Sequence, residues 1–412
     1  MNDFTPPTHL GRSEGVKVSF VTTWDPSDVT KGSGLPYYIA RGLRSRDVLL
    51  SHVVLAENPF PAMLLGKGIQ SLYRFVLRRN FDRLRNPLLA RQWGSQLAQL
   101  LAKEQTDLIF STTSIPFARL ESRRPLVIWT DATFAGLRDF YPHLSRLPQW
   151  NVTTGDALER AALERASLII YSSEWAAATA VDCYDISPSK IEVVPFGANL
   201  QEPVSRLHVA EMITSRPHSP CRLVFIGVDS YRKGADIALD VARRLNELGT
   251  PAELTIVGAR NVRTSEPFVT ATGFVKKDGA STRMSDLFAA ADFAILPSRA
   301  DCTPHVVAEA NAFGVPVLTT KVGGIPTLMR QDVNGRMFDS DARPDDYVSF
   351  IVELLSDRAR YEQLGWSSRK EYETRLNWSV ACEKVSVLLS QVALGTEAPK
   401  WRGRSPSDAG NG

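Results

Sequence analysis

The sequence is poor in the residues from which stapled folds and metal centres are built. Its 412 residues hold only four cysteines, Cys183, Cys221, Cys302 and Cys382, far apart and without a C-x-x-C pair. That excludes a disulfide framework, a zinc ribbon and a redox dithiol, and the four read as cytosolic thiols. The six histidines, His9, His52, His143, His208, His218 and His305, show no paired metal spacing, so metal-independent chemistry is expected. No run of about eighteen apolar residues occurs, and Met1–Glu14 lacks an apolar signal core, which argues against membrane spanning and secretion. Charge of one sign is also lacking: Lys+Arg 48 against Asp+Glu 45 leaves +3, too little for a whole-protein field that would gather nucleic acid.

What is present is a foldable chain, 43% hydrophobic and 23% charged, long enough for two domains of roughly 150–200 residues. Short β-branched runs alternate with apolar-periodic stretches. Strands are expected at Val16–Trp24, Asp107–Ser111, Leu126–Trp129, Ser167–Tyr171 and Ile191–Val194, with helices at Leu35–Leu43, Thr154–Arg165 and Glu174–Val181. From Asn199 to Pro220 the pattern lapses into Pro, Ser, Arg and His, the composition of a linker with at most one short helix. Alternation then resumes with strands at Leu223–Gly227, Glu253–Val257, Val269–Thr272, Phe293–Leu296 and Val315–Leu318. Helices are expected at Ala235–Leu248, Met284–Ala290, Pro304–Phe313, Asp345–Leu355, Ala359–Leu364 and Val380–Leu394. The expected organisation is a disordered start (1–14), a first doubly wound α/β domain (15–199), a linker (200–220), a second such domain (221–376), a crossing helix (377–395) and a disordered tail (396–412). Two parallel sheets facing each other put their strand carboxyl ends around one crevice, where ligands of such sheets bind.

The most specific stretch runs from Ala291 through a Pro297-Ser298 strand end to Asp301 and, eight positions later, Glu309. It resembles the signature of retaining glycosyltransferases of the GT-B fold, those like family 4 (glycosyl transferases group 1), with Asp301 in place of the usual first Glu. The resemblance implies two Rossmann-like domains across a cleft, with a C-terminal helix, begun near Trp378, returning to the first. It also implies a UDP- or GDP-sugar donor, no other cofactor, and a glycan, lipid-linked or small-molecule acceptor. Asp301 would meet the donor sugar and Glu309 the nucleotide ribose. Thr303 is expected to cap a helix whose first residue is Pro304, leaving the His305 and Val306 amides for a diphosphate. Asp301 and Thr303 as mere caps, with Glu309 facing solvent, is the bland alternative.

Three further segments support the resemblance. Arg232 and Lys233 before Gly234 match the element that grips the leaving diphosphate, although Val228 stands where the family has Arg. Gly273, Phe274 and Val275 match the segment whose backbone reads the base. Gly32, Ser33 and Gly34 resemble the family's glycine-rich donor loop, whose backbone can approach an anion closely. Asp131 stands near the strand end where many relatives have a sugar-contacting histidine; it serves equally well as a turn cap. His305 fits a structural role as well as a donor contact. The expected catalytic set is therefore Asp301, Glu309, Lys233 and Asp131. Two rival readings are an epimerase or hydrolase of nucleotide sugars on the same fold, and a non-catalytic nucleotide-sugar-binding protein.

One charge asymmetry stands apart. Between Met63 and Lys103 there are eight basic residues and one acidic residue, Asp82. Leu65, Ile69, Leu72 and Val76 recur at helical spacing, and Lys67, Arg74, Arg78 and Arg85 form a basic series. Peripheral contact with an anionic membrane at the inner face of the cytoplasmic membrane would use both. Alternatively the apolar face packs on the first sheet, and the arginines are solvated or bind an acidic glycan acceptor.

Overall fold

The computed structural model describes residues 15–55, 61–217, 219–259, 265–273, 281–396 and 401. Among the described residues, twelve strands form two six-stranded, wholly parallel sheets. The first contains β1 (Lys17–Thr22), β2 (Leu49–Val54), β3 (Leu108–Ser111), β4 (Leu126–Thr130), β5 (Leu168–Tyr171) and β6 (Ile191–Val193), in the order β2-β1-β3-β4-β5-β6. The second contains β7 (Cys221–Ile226), β8 (Ala252–Val257), β9 (Val269–Gly273), β10 (Phe293–Leu296), β11 (Val317–Thr320) and β12 (Gly335–Phe338), in the order β12-β11-β10-β7-β8-β9.

The central strands read as unbroken apolar runs because both faces are covered. β3, β5 and β10 are buried at every position. Alternate residues feed two cores: Val21, Ile109, Ile128 and Ile169 enter one, while Phe20, Phe110, Val127 and Ile170 enter the other. The second sheet repeats the arrangement, with Leu223, Phe225 and Ile295 on one side and Val224, Ala294 and Val317 on the other.

After the second sheet the helix Trp378–Leu394 returns to the first domain, starting at an Asn377 side-chain cap on Val380 N (2.9 Å). It packs against the helix Leu35–Arg44, so closely that a Cβ on Gly42 would lie 2.4 Å from Cys382 Sγ. Trp378, Cys382, Val385 and Leu389 join the first-domain core. The two chain segments that link the domains touch: Ala198 N donates to Leu376 O (3.1 Å).

Several elements depart from expectation. β2 and β12 were not expected; helix Pro87–Leu101 was not, and helix Pro61–Phe75 only in part. In keeping with expectation, the described residues of the stretch between the sheets carry one helix, Arg206–Ser215. Arg85, counted in the basic surface series, is buried, with Nη1 on Glu159 Oε2 (2.7 Å), Nε near Asp82 Oδ2 (3.4 Å) and its guanidinium over the Phe134 ring. Leu65, Leu72 and Val76 are exposed, so the apolar series does not pack on the sheet.

Candidate active site

The site is built where each sheet changes direction. From β7 the chain proceeds to β8 and β9 on one side, and from β10 to β11 and β12 on the other, so a crevice opens beyond the carboxyl ends of β7 and β10. The segments leaving those strands are Gly227–Gly234 and Pro297–Thr303. Their side chains meet: Lys233 Nζ donates to Asp301 Oδ2, and Ser298 Oγ lies 3.4 Å from the same oxygen. Both partners are nearly buried. Glycines permit this approach. A Cβ on Gly227 would sit 2.8 Å from Lys233 Cγ, and one on Gly234, which has φ +81°, would sit 2.1 Å from Pro297 O.

Arg232 lies on the same short helix, Ser230–Lys233, capped by Asp229 through Arg232 N (3.1 Å). Its Nη1 donates to Ala300 O (2.8 Å), and its guanidinium stacks 4.7 Å above the ring of Tyr141, a first-domain residue. Val228, at the family's arginine position, is half exposed.

The first domain contributes Asp131, just beyond β4. It is not a turn cap: Thr133 caps the following helix, accepting from Gly136 N (3.1 Å). Burial pushes the Asp131 carboxyl up to about 6, and the Asp301 charge across the cleft adds to the rise. Burial also raises the Cys302 thiol, with the Asp131 charge next in importance. Two of the three acidic residues expected from sequence, Asp131 and Asp301, thus lie within electrostatic reach of one another from opposite domains.

The start of helix His305–Ala312 differs from expectation. Pro304, not Thr303, is its N-cap. The Thr303 hydroxyl instead shares a hydrogen bond with Ser172 Oγ of the first domain (2.5 Å), which draws it away from the helix. His305 Nδ1 meets Gly197 O (3.1 Å) and its ring stacks on Phe196, the structural role allowed for it. Val306 lies in the first turn beside it. Glu309 is buried rather than solvent-facing, close enough to Tyr38 that its charge adds to the burial that raises that phenol.

The glycine-rich loop after β1 forms a tight turn, Lys31–Gly34, with Gly32, Ser33 and Gly34 all at positive φ (+55°, +58° and +84°). Ser33 is the costly member, since L side chains crowd the backbone there. A relay holds it: Trp378 Nε1 donates to Asn199 Oδ1 (2.9 Å), and Asn199 Nδ2 donates to Ser33 O (2.8 Å). Gly273 ends β9 at φ +68°, its carbonyl accepting from Gly258 N (2.8 Å). Phe274 and Val275 lie outside the described residues.

Sequence reasoning missed Tyr141, Ser172 and Asn199, ordinary loop or strand-end residues whose partners lie far away in the sequence, and named Ser298 only as part of a strand end. Among the described residues no three His, Cys, Asp or Glu side chains come together as a metal site. One Asp-x-Asp run does occur, Asp339-Ser340-Asp341, exposed on the turn after β12. A Gly-x-Ser-x-Gly spacing also occurs at Gly11–Gly15; apart from Gly15 it lies outside the described residues.

Two facing parallel sheets with a crossing helix, and a basic-acidic pair at the second switch point, define a GT-B glycosyltransferase architecture. Residues 36–202 match the family described as Glycosyltransferase Family 4 and residues 220–357 that described as Glycosyl transferases group 1. The chain belongs to this glycosyltransferase family. It is 25% identical over 248 residues to D-inositol 3-phosphate glycosyltransferase of Thermobifida fusca, covering 56% of this chain and 56% of the relative. The match therefore spans little more than half of that relative's length. A stretch of 104 residues is 31% identical to sulfoquinovosyl transferase SQD2 of Arabidopsis thaliana, covering 25% of this chain and 20% of that one. In fold, the chain is similar to sucrose-phosphate synthase of Thermosynechococcus elongatus (TM-score 0.67, 15% identity, 92% of this chain and 100% of that one). HepE of Anabaena, solved with UDP-glucose, is also similar (TM-score 0.61, 18% identity, 91% and 99%).

Proposed function

We propose that the chain transfers a sugar from a nucleotide diphosphate sugar to an acceptor hydroxyl with retention at the anomeric carbon. The observation that carries this reading is the meeting of Lys233 and Asp301 at the β7/β10 crevice, opposite Asp131 of the other domain. The bond from anomeric carbon to phosphate oxygen breaks, and charge grows on the leaving diphosphate. Lys233, Arg232, the loop Gly32–Gly34 and the start of helix His305–Ala312 supply fixed positive charge for it. The acceptor oxygen bonds to the same face of the carbon and passes its proton to a diphosphate oxygen, which explains why no separate general base is needed. Asp301 and Asp131 hold sugar hydroxyls, while Glu309 and the Gly273 turn hold the nucleoside. HepE's UDP-glucose complex favours a uridine donor as the first to try.

Incubation with UDP- and GDP-sugars and a panel of acceptors tests this, reading released nucleotide and, by NMR, the anomeric configuration of the product. Inverted product overturns the mechanism. Donor consumption without need of an acceptor favours the epimerase or hydrolase reading. Transfer is expected to survive excess chelator; loss restored by magnesium or manganese would contradict the all-protein neutralisation of the diphosphate.

The raised Asp131 carboxyl carries a pH signature. Between about 4 and 6 the folded chain binds more protons at this position than the unfolded chain, so its contribution to stability falls as pH rises through that window and stays unfavourable above it. Asp131→Asn should therefore melt higher than wild type at pH 7.5 and show no such gain at pH 4. Turnover that needs the ionised carboxylate should decline below about pH 6. Equal melting shifts at both pH values would contradict the assignment.

A further inference from the structure

Helix Pro61–Phe75, the loop 79–85 and the segment 137–144 enclose a groove of about 930 Å³ on the first domain. Arg74, Arg79 and Arg83 line it, and no carboxylate pairs with any of them among the described residues. The acid in the lining, Asp82, is engaged by Arg85. Arg79 donates to the carbonyl oxygens of Arg146 (3.3 Å) and Leu147 (3.0 Å), and Arg83 Nη1 donates to Gln70 Oε1 (3.0 Å). These bonds fix the two guanidinium groups without neutralising them. Arg83 Nε is buried with no hydrogen-bond partner. Three guanidinium groups without a carboxylate partner, two of them held by hydrogen bonds, around one concavity favour an anion with several acceptor oxygens, such as a phosphate.

The groove opens onto an apolar surface. Leu72, Phe75, Val76 and Leu77 are 52%, 76%, 67% and 50% exposed, and Phe75 also lines the groove. Exposed large side chains in a contiguous run mark an interaction surface. On its other side the groove shares a wall with the cleft, since Tyr141, under Arg232, immediately precedes the lining residues Pro142–Leu144.

We propose that this groove is the acceptor subsite and takes the phosphate of an anionic lipid-type amphiphile, its chain lying along Leu72, Phe75, Val76 and Leu77. The inference rests on the transferase reading, from which the acceptor role follows. Binding to the full chain is measured by sedimentation with vesicles of phosphatidic acid in phosphatidylcholine, and with phosphatidylcholine alone, at low and high salt. Donor-site integrity is read separately from UDP-induced thermal shift. Binding to the phosphatidic acid vesicles, weakened at least tenfold in Arg74→Gln/Arg83→Gln and in Phe75→Ser/Val76→Ser with melting temperature and UDP shift kept, supports the proposal. Arg79→Gln, which gives up two loop bonds, serves as a second variant with the same expectation. Unchanged vesicle binding in the arginine variants overturns the phosphate assignment. Glycerol phosphate binding as tightly as the vesicles overturns the role of the chain. Self-association lost in Phe75→Ser/Val76→Ser, with no vesicle binding, gives the surface to a second copy of the chain. Absence of a UDP shift would tell against the transferase reading instead, leaving the vesicle result to be read by itself.

Discussion

Lys233→Ala is expected to lower transfer at least about a hundredfold, the usual cost of removing one preorganised donor from a developing oxyanion. It should also destabilise the fold, because Asp301 would be left buried without its cation, a loss of about 3–5 kcal/mol when one member of a buried pair is removed. The two effects are separable. Lys233→Ala combined with Asp301→Asn removes the stranded charge, so stability should partly recover while transfer does not. Glu309→Ala, at a buried position beside the crevice, should also remove most turnover. Initial rates and chemical denaturation of the three variants check this. Near-wild-type turnover in Lys233→Ala would sink the site assignment.

The second large effect is expected at Trp378. Its ring stacks parallel to Tyr38, meets Trp129 edge-on and contacts Phe196 and His305, which belong to both domains. Trp378→Ala should cost about 3–5 kcal/mol, as large aromatic truncations in a packed core do. Trp378→Phe keeps much of the packing but breaks the bond to Asn199, a loss of about 1 kcal/mol. Because Asn199 holds Ser33 O, the phenylalanine variant should raise the KM for donor more than it lowers melting temperature. Urea unfolding and donor titration distinguish these outcomes; a cost for Trp378→Ala near that of the phenylalanine change would mean the ring is not the keystone its contacts describe.

Strands at the centre of each sheet were legible in the sequence because burial on both faces demands unbroken apolar runs. β2 and β12 were not, and both are sheet edges. β2 reads Leu-Leu-Ser-His-Val-Val with only one fully buried position, and β12 is four residues beginning with glycine and arginine. Helix Pro87–Leu101 was legible and overlooked: Asn86 caps it, Pro87 sits at its first turn, and Leu89, Trp93, Leu97 and Leu101 mark its buried stripe. Within the site, the acidic pair and Lys233 could be placed from a local motif. Thr303 could not, since a good capping residue was taken by Ser172, 131 positions away in sequence. Arg85 failed for the same reason. Counting charges along a segment does not reveal that Glu159 awaits one of them in the core.

The contact between the two interdomain connections bears on how the cleft opens. With Ala198 N bonded to Leu376 O, and a Cβ on Gly197 only 2.3 Å from Trp378 N, the connections form one double-stranded pivot rather than two independent tethers. A pair of tethers fastened together permits rotation about the line they define and resists sliding and twisting. Ser172 to Thr303 and Tyr141 to Arg232 bridge the same two domains, so any opening of the cleft has to break both of these contacts while the fastened connections stay joined.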